Sequence, residues 1–369
     1  MKELGFGLMR LPLKNTTDSG SIDQELTNKM ADYFLEQGFT YFDTAYPYHG
    51  EQSEAAFKKA VVQRYPRETY TIADKMPVWL VKKNADYQKI FDEQLKRCGV
   101  EYFDYYMLHS LNAPMYADTQ NIGGFEFIEK MKAAGKIRKT GFSFHDKADV
   151  LDRILGEHPK TDFVQLQINY IDWDNKSVQS GKCYETAVKY GKPIIVMEPV
   201  KGGCLASLPE EAEKLLKAHN KTASAASWAI RFAASLENVP VILSGMSTFE
   251  QMTDNTAIMR EFKNLDNEEK GIIKEAAEII NRLITIPCTT CGYCTADCPQ
   301  KIAIPKYFTL YNNQKRYGAL PTLLGSYAYA ASGAGRASAC TACKQCEERC
   351  PQNIPIMEWL KETAKVFEV

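Results

Sequence analysis

From residue 1 to about residue 262, short β-branched or aromatic runs alternate with longer stretches whose apolar residues recur every three or four positions. The short runs predict eight strands, Leu4–Met9, Thr40–Thr44, Tyr70–Lys75, Tyr105–His109, Thr140–Phe144, Phe163–Ile168, Pro193–Glu198 and Val239–Ser244. Between them, stripes such as Leu26, Met30, Tyr33 and Phe34, then Tyr87, Ile90, Phe91 and Leu95, then Phe125, Ile128 and Met131 predict amphipathic helices with one face turned to a sheet. Eight strand-helix units in about 260 residues fit an α/β fold of the (β/α)8 TIM-barrel type. An open, doubly wound sheet is the alternative. Its glycine-rich phosphate turn is missing, because Gly5, Phe6 and Gly7 lie inside a short first strand with no helix directly following.

Past residue 262 the pattern changes. A helical stretch, Glu268 to Leu283, leads through Ile286 and Pro287 into a segment rich in cysteine. The expected organisation is therefore a barrel over 1–262, a connecting helix over 263–286 and a small, mainly α-helical, cysteine-rich domain over 287–369. Of 11 cysteines, eight fall between Cys288 and Cys350. With 45% hydrophobic residues, 25% charged residues and a net charge of -1, the chain can build a full core and has no bulk attraction for nucleic acid. No run approaches the roughly 18 apolar residues that span a bilayer, and the N-terminus lacks the layout of a signal peptide. No membrane insertion and a cytoplasmic location with reduced thiols are expected, which makes the clustered cysteines metal ligands before disulfide partners.

The clustered cysteines form two copies of one motif, Cys288, Cys291, Cys294, Cys298 with Pro299, and Cys340, Cys343, Cys346, Cys350 with Pro351. Three thiolates at steps of three can wrap one corner of a 4Fe-4S cluster, and in the two-cluster ferredoxin arrangement the fourth cysteine of each run serves the other cluster. That arrangement assigns Cys288, Cys291, Cys294 and Cys350 to one centre and Cys340, Cys343, Cys346 and Cys298 to the other. A pair of structural zinc sites is the alternative, and it accounts for neither the third cysteine nor the proline of each run. The long insert between the motifs, with Ile304 to Tyr317 and the segment around Tyr327 and Tyr329, resembles the helical, respiratory-subunit type of ferredoxin domain. Cys98, Cys183 and Cys204 have no such spacing and read as small packing residues.

Barrel chemistry sits where strands end. The second predicted strand ends at Asp43 with Tyr48 just beyond, the third at Lys75 and the fourth at His109, with 27 positions from Tyr48 to Lys75 and 34 from Lys75 to His109. Each interval is about one strand-helix unit, so the four side chains should meet at one mouth. Taken singly, Asp43 also reads as a strand-end cap, Lys75 as a solvated rim charge and His109 as a core histidine.

In order along the chain, GFGLMRLP, FDTAYPYH, IADK and DYYMLH resemble the aldo/keto reductase family over roughly residues 4 to 262, and the cysteine-rich tail resembles a prokaryotic branch of that family with a C-terminal ferredoxin-like domain. The resemblance implies a catalytic tetrad of Asp43, Tyr48, Lys75 and His109 and a nicotinamide nucleotide at the same mouth. Ser143 and Gln165 would hold its carboxamide with Asn169 nearby, Met197 stands where an aromatic ring usually stacks, and Gly245, Met246, Ser247, Gln251 and Asn255 lie where the family binds the adenosine end. Phe144 replaces the usual asparagine after the serine. Gln251 replaces an arginine that commonly grips the 2'-phosphate, which leaves NADPH and NADH both open.

The implied activity is hydride transfer between the nicotinamide and a small carbonyl or alcohol substrate, with Lys75 and Asp43 making Tyr48 a usable proton donor. The two clusters would carry electrons, with a partner protein as donor or acceptor, or stiffen the tail. Coupling one-electron clusters to a two-electron carrier calls for a flavin as converter, although the chain shows no flavin signature. The alternatives are a nucleotide-binding redox or oxygen sensor without turnover, and a pure electron carrier, which does not need the tetrad. Substrate choice would rest on the loops Pro77–Asn84 and Ser110–Ile122, with Trp79, Leu80 and Tyr116, and on the tail itself.

Overall fold

The computed structural model describes residues 2–15, 18–176, 178–317 and 321–368; the ends of the expected segments, Met1 and Val369, lie outside them. Eight parallel strands close into a barrel in chain order, with the last pairing back onto the first. They are β1 (Glu3–Gly7), β2 (Tyr41–Asp43), β3 (Thr71–Met76), β4 (Phe103–Leu111), β5 (Ile137–Phe144), β6 (Phe163–Gln167), β7 (Ile194–Met197) and β8 (Val241–Ser244). All eight coincide with predicted strands. The predicted stripes fall on the helices Gln24–Glu36, Asn84–Cys98 and Gly124–Ala133.

Strand alternation sorts the side chains into two shells. Tyr41, Ala73, Met107, Phe163, Ile195, Val241 and Leu243 fill the barrel interior. Their sequence neighbours, among them Phe42, Ile72, Tyr106, Val164, Val196 and Ile242, point outward and pack with the helix faces in a single large core. Phe144 joins this outer core, which explains an apolar residue there. Gly5 and Gly141 are glycine for space: an added Cβ would stand 2.5 Å from Leu243 or 2.6 Å from the Phe163 carbonyl.

A second compact unit consists of Asn175–Val178, Lys201–Ala225 and Asn267–Val369. It is mainly helical, with helices Glu210–His219, Asn267–Leu283, Ile304–Tyr317, Pro321–Ser332 and Ile356–Phe367. Its core gathers Ile286, Ile302, Ile304, Tyr307, Phe308, Ile354, Ile356 and Leu360 around Cys294 and Cys346. Among the described residues, no helix is long and apolar enough to cross a membrane.

Candidate functional site

The mouth of the barrel follows from the two-residue period. Asp43, Lys75, His109, Ser143, Gln165 and Met197 each lie two positions beyond Tyr41, Ala73, Met107, Gly141, Phe163 and Ile195, so all six continue the inward-facing columns toward the strand ends. β4 runs on past His109 to Leu111, and its register against β5 shifts between Leu108 and Leu111 with Ser110 at φ +59°.

Lys75 is 1% exposed and Asp43 3% exposed, so the lysine is no solvated rim charge. Lys75 Nζ donates to Asp43 Oδ1 at 2.5 Å and to the Thr44 carbonyl at 2.7 Å. The other carboxylate oxygen of Asp43 accepts from Gln165 Nε2 at 3.0 Å. The buried charge is thus paired and hydrogen-bonded on both oxygens, as burial requires. The Lys75 ammonium lies 5.0 Å from the centroid of the Tyr48 ring, and the rings of Tyr48 and His109 stand edge-on at 6.0 Å. The structure brings all four strand-end residues together.

Burial, then the positive charge of Lys75, drives the His109 imidazole well below its ordinary pKa, so it is neutral. Its Nδ1 is buried without a hydrogen-bond partner among the described residues. It is therefore not a satisfied core histidine. The Trp79 ring, on the first of the predicted specificity loops, lies 5.1 Å from it.

The remaining predicted nucleotide contacts divide. Ser143 Oγ accepts from the Ser110 N–H at 2.7 Å, fixing the bulge. Asn169 is committed to its own turn: Oδ1 accepts from the Ile171 and Asp172 N–H groups at 3.1 and 2.9 Å, while Nδ2 donates to Asp172 at 2.8 Å. Met197 borders the interior cluster. After β8, Ser247 Oγ donates to the Arg10 carbonyl and Ser247 N to Gln251 Oε1, both at 2.8 Å, and Met246 is fully buried. Asn255 Nδ2 donates to Ser244 Oγ at 3.0 Å, and a side chain at Gly245 would meet the Arg10 stem at 3.2 Å.

Sequence reasoning missed the layer behind Lys75. Asp74 and Glu54 are both fully buried and hydrogen-bond to each other. Burial, then the Glu54 charge, raises the Asp74 carboxyl far above the carboxylate range, and burial raises Glu54 as well, so the pair shares one proton. Asp74 Oδ1 accepts from the Lys75 N–H at 2.8 Å, and Gln94 Nε2 donates both to Glu54 and to the Lys75 carbonyl at 3.0 Å. The backbone of Lys75 is clamped on both sides. Alternation at Asp74-Lys75 signals that Asp74 faces the helices; nothing local points to Glu54 or Gln94.

In the second unit, the two cysteine motifs repeat one backbone path at an offset of 52 residues. Left-handed φ angles recur at Thr290 and Ala342, Gly292 and Lys344, and Lys301 and Asn353. Each turn delivers the third cysteine on a short helix, Tyr293–Ala296 or Gln345–Glu348. The chain folds so that Cys288, Cys291, Cys294 and Cys350 line one cavity and Cys298, Cys340, Cys343 and Cys346 another, each enclosing about 310 Å³ with its open mouth included. The fourth cysteine of each run faces the first three of the other. Burial, then Cys291 and Cys350, pushes the Cys294 thiol up, so ionised sulfurs here need a positive charge in the cavity. This donor set, sulfur with apolar walls, fits an iron-sulfur cluster.

The profile described as "Aldo/keto reductase family" matches residues 3–278, and that described as "4Fe-4S dicluster domain" matches residues 287–354. The holo form of an aldo-keto reductase from Bacillus halodurans is similar in structure, with TM-score 0.60 and 23% identity over 74% of this chain and 91% of that one. An aldo/keto reductase from Klebsiella pneumoniae in complex with NADP and acetate has TM-score 0.58 and 20% identity over 74% and 90%. No curated protein matches the chain in sequence.

Proposed function

Because the chain belongs to the aldo/keto reductase family, and is thereby an oxidoreductase, and carries a 4Fe-4S dicluster domain, we propose that its barrel reduces a small carbonyl compound, or oxidises the corresponding alcohol. When bound, a nicotinamide nucleotide supplies or accepts the hydride and two 4Fe-4S clusters store single electrons. One observation carries the proposal: the buried Asp43–Lys75 pair sets an ammonium 5.0 Å from the Tyr48 ring beside a neutral His109.

The residues divide the work of the proton. Hydride addition to a carbonyl leaves an alkoxide that must gain a proton, and a phenol with an ordinary pKa near 10 gives one up slowly. The Lys75 charge favours the ionised phenol and so makes Tyr48 the stronger acid. Asp43 holds that ammonium in place, and Gln165 holds Asp43. Neutral His109 can donate a hydrogen bond to the carbonyl oxygen without competing as an acid. Ser143 and Gln165, with Asn169 supporting the turn and Met197 beneath, would frame the nicotinamide. Gly245, Met246, Ser247, Gln251 and Asn255 would receive the adenosine end of NADH or NADPH, where Gln251 brings no charge of its own and the Arg10 stem packs against Gly245.

The two cavities support cluster ligation by Cys288, Cys291, Cys294 and Cys350 and by Cys298, Cys340, Cys343 and Cys346. A protein electron partner would exchange electrons with these centres, and a flavin, if extractable, would convert between one- and two-electron steps. Steady-state reduction of an aldehyde panel with NADH and with NADPH tests the barrel proposal. Wild type should turn over at least one substrate and Tyr48→Phe should lose about 10²–10⁴-fold in kcat/KM; equal rates would overturn it.

A further inference from the structure

Beside one of the two cysteine cavities the fold buries a positive charge. Lys201 lies in a left-handed turn with Gly202 and Gly203, at φ +47°, +64° and +99°, which folds its side chain inward until only 2% is exposed. Its Nζ donates to Gln352 Oε1 at 2.8 Å. Gln352 is itself buried and lines the same cavity as Cys288, Cys291, Cys294 and Cys350. Three residues on from Lys201, Cys204 Sγ lies 3.9 Å from the Cys288 carbonyl, so the turn follows the cavity wall.

Among the described residues, the lining of the other cavity holds no buried lysine or arginine. Its lysine, Lys344, is exposed and hence screened by water. Glu347, next to Cys346, accepts at Oε1 from the N–H of Met357, which lines this cavity, at 2.9 Å. Asp297, next to Cys298 of this cavity, pairs at 2.8 Å with Arg349, next to Cys350 of the first, so the two charges offset.

A four-iron centre held by four thiolates is anionic and becomes more so when it takes up one electron, and a buried cation favours the reduced form far more than a solvated one. Resting on the two-cluster reading above, we infer that Lys201, held by Gln352, sets the centre of Cys288, Cys291, Cys294 and Cys350 at the higher reduction potential of the two, so that an electron entering the tail comes to rest there.

Anaerobic dithionite titration of the full-length holoprotein, followed by electron paramagnetic resonance, reads both couples. Lys201→Gln should lower the higher potential by at least about 59 mV, a tenfold change for one electron, leave the lower one in place, and Lys201→Arg should restore it. Unmoved potentials, equal movement of both, or movement of the lower couple alone overturns the inference. If Lys201→Gln does not fold, Gln352→Leu, which keeps the lysine but removes its acceptor, should shift the same couple downward by a smaller amount; an unshifted or raised couple overturns it. A wild-type protein without two four-iron signals fails the cluster reading itself, a separate result visible in iron analysis before any variant is made.

Discussion

Lys75→Met removes the ammonium while keeping most of the side-chain volume, and it separates what the buried pair does for stability from what it does for chemistry. In the variant, Asp43 keeps Gln165 Nε2 on one oxygen and loses the donor at 2.5 Å on the other, with 3% of the residue exposed to water. Removing one partner of a buried ion pair costs about 3–5 kcal/mol, readable as a lower midpoint in urea unfolding with an unchanged slope. The double variant Asp43→Leu, Lys75→Met removes both charges, and replacing a buried pair by apolar residues is close to neutral. It should recover most of the lost stability. It should recover none of the activity, because Tyr48 then returns to an ordinary phenol and kcat/KM stays down by about 10²–10⁴-fold. A double variant that is both stable and active would refute the role given to the Lys75 charge.

His109 makes a pH prediction. Its pKa is depressed in the fold, so the unfolded chain binds the proton more readily; the contribution to stability is full above the unfolded value of about 6.5 and is lost as pH falls through it. Unfolding midpoints at pH 7.5 and 5.0 should differ more for wild type than for His109→Gln. Behind the site, Asp74→Asn keeps the shape, the acceptor for the Lys75 N–H and a donor toward Glu54, and should shift the urea midpoint little. Glu54→Ala strands Gln94 and Asp74 and should cost about 1–3 kcal/mol. Gln251→Arg supplies a charge-assisted donor near the adenosine end, worth about 1.5–3 kcal/mol, so the ratio of kcat/KM for NADPH over NADH should rise at least about tenfold. Iron and acid-labile sulfide should each approach about eight per chain and fall to about half that in Cys350→Ser; zinc in their place would refute the cluster reading.

The barrel was legible because it is written in local period. Eight apolar runs separated by helical stripes fix the strand count, and the two-residue alternation then places Asp43, Lys75 and His109 on one level without further information. The duplicated cysteine spacing was equally direct, since a repeated motif forces a repeated backbone path, visible in the paired left-handed residues 52 positions apart. What escaped the sequence depends on long-range packing. Glu54 meets Gln94 across 40 residues and Lys201 meets Gln352 across 151. Asn169 keeps the place the motif suggests, yet its amide is spent on the turn it begins, a use that only the folded loop reveals.

Nicotinamide nucleotide deuterated at its transferable position, mixed anaerobically with the wild-type chain and an aldehyde it turns over, tests the barrel chemistry most directly. Mass spectrometry should find deuterium on the carbinol carbon with wild type and almost none in the same time with Tyr48→Phe. Product carrying only solvent hydrogen, or equal labelling by both proteins, would contradict direct hydride transfer with Tyr48 as the proton donor.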